Sequence, residues 1–218
     1  MKRYIAVTIT IWLFLIGASA AWNVQQAFKN QQQIHLENGR SFFNLIVTMR
    51  QWNAEMGGVY VPVSEALQPN PYLDGKDRDI TTNTGLVLTR VNPAYMTRLI
   101  SEIADKKEKV KFRITSLMPI RPENLPADWE ADALNTFEKQ GEFEFYEYVE
   151  VGGSSTFRYM APLVVEPSCM QCHAVQGYKV GDVRGGISVT FPAQFTFPWS
   201  RNCQHHSAAC SGRSGCLP

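Results

Sequence analysis

Five consecutive residues, Cys169-Met170-Gln171-Cys172-His173, have the types and spacing to do chemistry. A C-x-x-C-H run is the attachment signature of c-type haem. Two thiols three positions apart reach the two vinyl groups along one porphyrin edge and form thioethers. The adjacent imidazole of His173 then projects onto the iron as proximal ligand. Three other readings stay open on the residues alone. Cys169 and Cys172 could close a disulfide in an exported chain, which would not require His173. A thioredoxin-like redox pair would want the motif to open a helix after a strand, whereas this one falls late, between strands. A zinc site needs two more ligands, and only the C-terminal tail offers them.

A haem iron has a sixth position, and its occupant decides what the iron can do. Met49 and Met56 are the first candidates, followed by Met96, Met160 and His35. A Met or His ligand gives a six-coordinate, electron-transfer-like iron, Met tending to raise the potential; an empty position admits a gas or another small ligand. Each methionine has core packing as its competing role. Arg184, just after the cysteine loop, and Arg158, in the strand before it, are candidate partners for the two haem propionates through charge-assisted hydrogen bonds. Their alternative is a solvated edge-strand charge. Glu142, Glu144, Glu147 and Glu150 read as the polar face of a strand. No Ser/His/Asp constellation is credible, because His173 is committed and His205 and His206 lie in the tail.

These residues need a scaffold and a compartment. After Met1-Lys2-Arg3, an uncharged run from Tyr4 to Trp22 would extend roughly 28 Å as a helix, close to a bilayer's hydrocarbon thickness. Positive charge on the short N-terminal side predicts a cytoplasmic N-terminus with the rest exported. Ala18-Ser19-Ala20 also fits a signal-peptide cleavage site, so anchor and cleaved signal both stand, the retained anchor being favoured. Either way the expected location is the cell inner membrane, single-pass, with the body of the chain in the periplasm. A formal net charge of +1 gives no electrostatic grip on nucleic acid.

Residues 23–56 contain no proline and read as a long helix leaving the membrane. Phe28, Phe42, Met49 and Met56 recur at multiples of seven, flanked by Leu45 and Trp52, and would form one stripe. That stripe could serve a homodimer or pack on its own domain. Val59–Val61 reads as a short strand and 62–83 as a turn-rich loop. Strands follow at 84–90 and 110–117, with a helix between them opened by Asn92-Pro93 and running to about Lys107. Another helix, 127–140, is stopped by Gly141. Strands 142–151 and 156–165 meet across Gly152-Gly153 as a hairpin, and 185–191 is the last strand. The fold class is α+β, an antiparallel sheet with flanking helices. No internal repeat and no phosphate-binding glycine loop is present.

The stretches GGVYVPV (57–63), NPAYMTR (92–98), ITSLMPIRPEN (114–124) and CMQCHAVQGYKVGDVRGGISV (169–189) resemble a bacterial family of periplasmic c-type haem sensor domains. That family, formerly a domain of unknown function, is PAS-like and usually N-terminal in membrane histidine kinases, diguanylate cyclases and chemoreceptor-like proteins. The resemblance covers about residues 25–191. It implies a PAS-like domain at 57–194, one covalent haem c on Cys169 and Cys172, His173 as proximal ligand, and a variable distal ligand, for which Met49 or Met56 stands. It further implies an input module sensing redox state or a small gas. No output kinase or cyclase is present, so no enzymatic activity is expected. A membrane-anchored monohaem cytochrome for electron transfer is the alternative, and a disulfide-stapled binding module without haem a third. Residues 195–218 depart from the family and are expected to be a truncated or frameshifted end. A metal site of Cys203, His205, His206, Cys210 and Cys216 is the sharper alternative there, with irregular spacing.

Overall fold

The computed structural model describes residues 1–73, 75–167, 170 and 177–193. They form two units, Met1–His35 and Leu36–Ala193. The first belongs to α1, a continuous helix over Lys2–Glu55. Its N-terminal part is long and apolar enough to cross a membrane, with none of the apolar window buried in protein. A signal sequence meets the same description.

The second unit begins with the rest of α1. There follow β1 (Val59–Pro62), β2 (Asp79–Thr81), β3 (Val87–Val91), α2 (Pro93–Glu108), β4 (Lys111–Thr115) and a 3-10 turn at Pro122–Asn124. Next come α3 (Asp128–Gln140), β5 (Phe145–Val151), β6 (Ser154–Val164) and β7 (Val183–Pro192). Among the described residues every strand pairing is antiparallel, as expected. The strands divide into two sheets rather than one, β1-β3-β2 and β4-β7-β6-β5. A four-stranded antiparallel sheet flanked by helices fits a PAS-like α+β fold.

Local chemistry explains the boundaries. Asn92 Oδ1 accepts from Tyr95 N–H at 2.9 Å, Pro93 occupies the first turn where no N–H is needed, and α2 starts there. Gly152 and Gly153, with φ of 60° and 78°, make the tight turn that lets β5 fold back on β6. Strand β2 was not expected. Three residues are too few to show alternation, and the strand is defined by its pairing with β3.

The four-stranded sheet buries both faces. On one, Phe112, Phe157, Tyr159, Ile187, Val189 and Phe191 meet Leu36 and Ile46 of α1 and Ile100 and Ala104 of α2. Phe42 sits edge-on to Phe112 and Phe191, at 6.2 and 5.7 Å between ring centroids. Gly39 lets α1 approach closely, since a Cβ there would lie 2.9 Å from Tyr159 Cβ and Cγ. On the other face Met160 packs against Ala133, Leu134 and Phe137 of α3.

The seven-residue period on α1 is real, but the buried line is not the expected one. Leu36, Gly39, Ile46 and Asn53 face inward, whereas Leu45, Met49, Trp52 and Met56 are exposed. A small glycine and a hydrogen-bonding Asn53, whose Nδ2 donates to the Val91 carbonyl at 3.1 Å, win the inward face. Neither carries an apolar signal in sequence. The acidic run also departs from expectation. Glu142 and Glu144 precede β5, and Glu147 and Glu150, an odd number of positions apart, point to opposite faces of it. Glu144 is engaged rather than solvated: Arg40 grips it through Nε and Nη2 at 2.9 and 2.6 Å, and Tyr159 Oη donates at 3.2 Å.

Candidate functional site

Cys169, Cys172 and His173 lie in the β6–β7 connection, outside the described residues, as does the tail with Cys203, His205, His206, Cys210 and Cys216. The described flanks of that connection are tied together. Val165 N–H donates to the Asp182 carbonyl and Gly181 N–H to the Val165 carbonyl, both at 2.9 Å. The end of β4 joins them, because Ser116 Oγ donates to the Arg184 carbonyl at 2.8 Å. One corner of the sheet is thus assembled from the end of β4, the end of β6 and the start of β7.

Arg184 occupies this corner by virtue of a β-bulge. Leu163 pairs with Gly185 and Val164 with Val183, so Arg184 is the extra residue of the bulge. Val183 takes the place packed against the α3 cluster. The bulge re-aims the Arg184 side chain, and its guanidinium lies 5.8 Å from the Tyr178 ring centroid, beside the cysteine loop. Arg158 is different. It belongs to β6, an interior strand, so the edge-strand alternative is excluded. Its Nη1 bonds Glu147 Oε1 at 3.2 Å, and its guanidinium sits 5.3 Å from the Trp129 ring centroid. Those contacts tie it to β5 and α3.

The candidate distal ligands separate clearly. Met160 is fully buried in the α3 cluster, and core packing accounts for it. Met96 is half-buried on α2. His35 is half-buried, and burial holds its imidazole below the ordinary value. Met49 and Met56 are exposed, on the same face of the α1 region as Trp52. Among the described residues no cluster of three His, Cys, Asp or Glu side chains could hold a metal ion.

The corner suits a large apolar group with charged edges. Leu117, Met118, Val164 and Val180 are exposed in segments meeting there. The hydroxyl of Thr115, the last residue of β4, is buried without a hydrogen-bond partner. Thiols and an imidazole in the adjoining loop are the donor set that covalent haem requires. Sequence reasoning missed Arg121 and Ser116, which share this corner. The run Ile120-Arg121-Pro122-Glu123-Asn124 marks a turn, but only the hydrogen bonds show where the turn docks.

These features define an α+β domain in which the described flanks of the β6–β7 connection meet at one corner of the main sheet. The chain belongs to the Tll0287-like family, which it matches over residues 16–192. Among solved structures, one similar to this chain is the crystal structure of the cyanobacterial heme-protein Tll0287. It shares 20% identity over 74% of this chain and 97% of the other, with a TM-score of 0.48. No curated protein matches this chain.

Proposed function

We propose that this protein is a haem-binding domain carrying one covalent haem c, and that it serves as the input module of a membrane-anchored sensor. The observation that carries this reading is the C-x-x-C-H run at 169–173, inside the stretch that belongs to the family. The cyanobacterial Tll0287 is itself a heme-protein, in keeping with haem binding here. Cys169 and Cys172 would hold the group through thioethers and His173 would ligate its iron. Arg184, the extra residue of the bulge and close to the Tyr178 ring, would bind a propionate. Met49 or Met56 would approach from the exposed face of α1. About 10 Å of helix rise separates the two, so one iron can take only one of them. When bound, the haem supplies redox change or small-ligand binding at iron.

The readout would pass through α1. Gly39 against Tyr159, and Arg40 against Glu144, couple this helix to the sheet. In the proposed arrangement residues 4–22 anchor the chain in the inner membrane, with the domain in the periplasm. A shift of the helix against the sheet would be the transmitted signal. Absorbance spectra of oxidised and reduced protein, with and without carbon monoxide or nitric oxide, test the sensing form. Gas-dependent shifts in the Soret band are expected. Indifference to both gases in both redox states, with a stable Met/His-ligated iron, favours the electron-transfer cytochrome instead.

A further inference from the structure

We propose that Arg121 is the second propionate-binding residue of this protein and forms, with Arg184, a two-arginine seat for the haem carboxylates. The inference rests on the haem reading above. It starts from how the corner is built. Ser116 is the joint, its Oγ donating to the Arg184 carbonyl at 2.8 Å and its N–H to the Asn124 carbonyl at 3.1 Å. Asn124 closes the 3-10 turn by donating its N–H to the Arg121 carbonyl at 2.9 Å. Two residues therefore connect Arg121 to Arg184, although 63 positions separate them in the chain. Both arginines occupy the corner that flanks the loop bearing Cys169, Cys172 and His173.

Arg121 is held more loosely than Arg40 and Arg113. Its Nε lies 3.3 Å from Glu123 Oε2, a carboxylate whose side chain is 58% exposed, and its Nη1 donates to Asn124 Oδ1 at 3.4 Å. Arg40 and Arg113 hold carboxylates at 2.6 and 2.5 Å. Arg121 Nε is buried without a hydrogen-bond partner, and the mostly solvated Glu123 faces it across 3.3 Å, so a carboxylate offered to the guanidinium in bidentate geometry would displace Glu123 at small cost. The immediate neighbours are apolar: Leu117, Met118 and Ile120 are all exposed on the same segment. An apolar ridge ending in a cation matches the edge of a porphyrin, whose macrocycle is apolar and whose propionates are anionic. Neither an ordinary surface turn nor a purely polar anion site requires that combination.

The test uses the full chain produced with c-type maturation machinery, comparing wild type with Arg121→Gln, Arg121→Lys, Arg184→Gln and the double Gln variant. Covalent haem per polypeptide is measured first, then the midpoint potential as a function of pH. Arg121→Gln is expected to keep its covalent haem, because the thioethers do not depend on it. Its potential should fall, since a cation that favours the reduced iron is gone. The pH at which the potential bends should rise by about 1 unit, as the propionate loses its partner. Arg121→Lys should restore part of both effects, and the double variant should exceed either single one. A wild-type potential and pH profile in Arg121→Gln, with haem retained, would overturn the proposal while leaving the haem reading intact. A wild-type chain that carries no haem at all overturns both, and the haem content distinguishes the two failures.

Discussion

At Glu144 two carboxylate oxygens meet three donors, Arg40 Nε and Nη2 and the Tyr159 hydroxyl. Arg40 holds the carboxyl below its ordinary value, chiefly by direct hydrogen bonding and then by charge, against an opposing contribution from burial. A depressed carboxylate stabilises the fold above its unfolded pKa, and that contribution is lost as pH falls through the folded value. Stability against urea should therefore decline as pH drops below 4.5, the ordinary value. Glu144→Gln should flatten that acid limb; parallel curves for the two proteins would contradict the assignment. The same region gives a steric prediction. Gly39→Val should cost about 1–3 kcal/mol in urea denaturation, because the new side chain must displace Tyr159. An unchanged midpoint would mean that α1 does not rest on the sheet there.

Among the elements, α3 shows how a local rule and tertiary packing share one residue. Glu130 is 1% exposed. It accepts from Ala127 N–H at 2.9 Å at the helix start, and from Ser188 Oγ at 2.7 Å and Arg113 Nη1 at 2.5 Å across the sheet. Ala127 has no side-chain acceptor, so only the returning half of a capping box forms. Glu130→Ala leaves the buried Ser188 hydroxyl and a helix N–H unanswered, and should cost about 3 kcal/mol by chemical denaturation. A loss below about 1 kcal/mol would show that water replaces the carboxylate. Elements with local signals were legible in sequence: Asn92-Pro93 announces α2, Gly141 ends α3, and Gly152-Gly153 makes the β5–β6 hairpin. Elements fixed by a partner were not. Strand β2 exists because Asp79–Thr81 pairs with β3. The bulge that aims Arg184 exists only relative to β6. The buried line on α1 escapes a reading by apolar residues because Gly39 and Asn53 are selected by close approach and by a carbonyl, which hydrophobic periodicity does not register.

At the scale of the molecule, α1 runs unbroken from Lys2 to Glu55, and the compact unit Leu36–Ala193 includes its last turns. The residues that would do the chemistry were legible from spacing alone, since C-x-x-C-H needs no fold to be recognised. What the fold adds is the corner beside them, with its bulge, its two arginines and its exposed apolar residues. That corner draws on residues 115–124, 163–165 and 178–186, too far apart in the chain for any motif to join them. The central claim is covalent haem on Cys169 and Cys172. It is tested most directly by expressing the chain with c-type maturation machinery, then applying a haem stain to a denaturing gel and recording a pyridine haemochrome spectrum. The account predicts one haem per chain that survives denaturation and has the spectrum of a doubly thioether-linked porphyrin, lost in the Cys169→Ala, Cys172→Ala double variant. A wild-type chain that emerges from that machinery without covalent haem would contradict it.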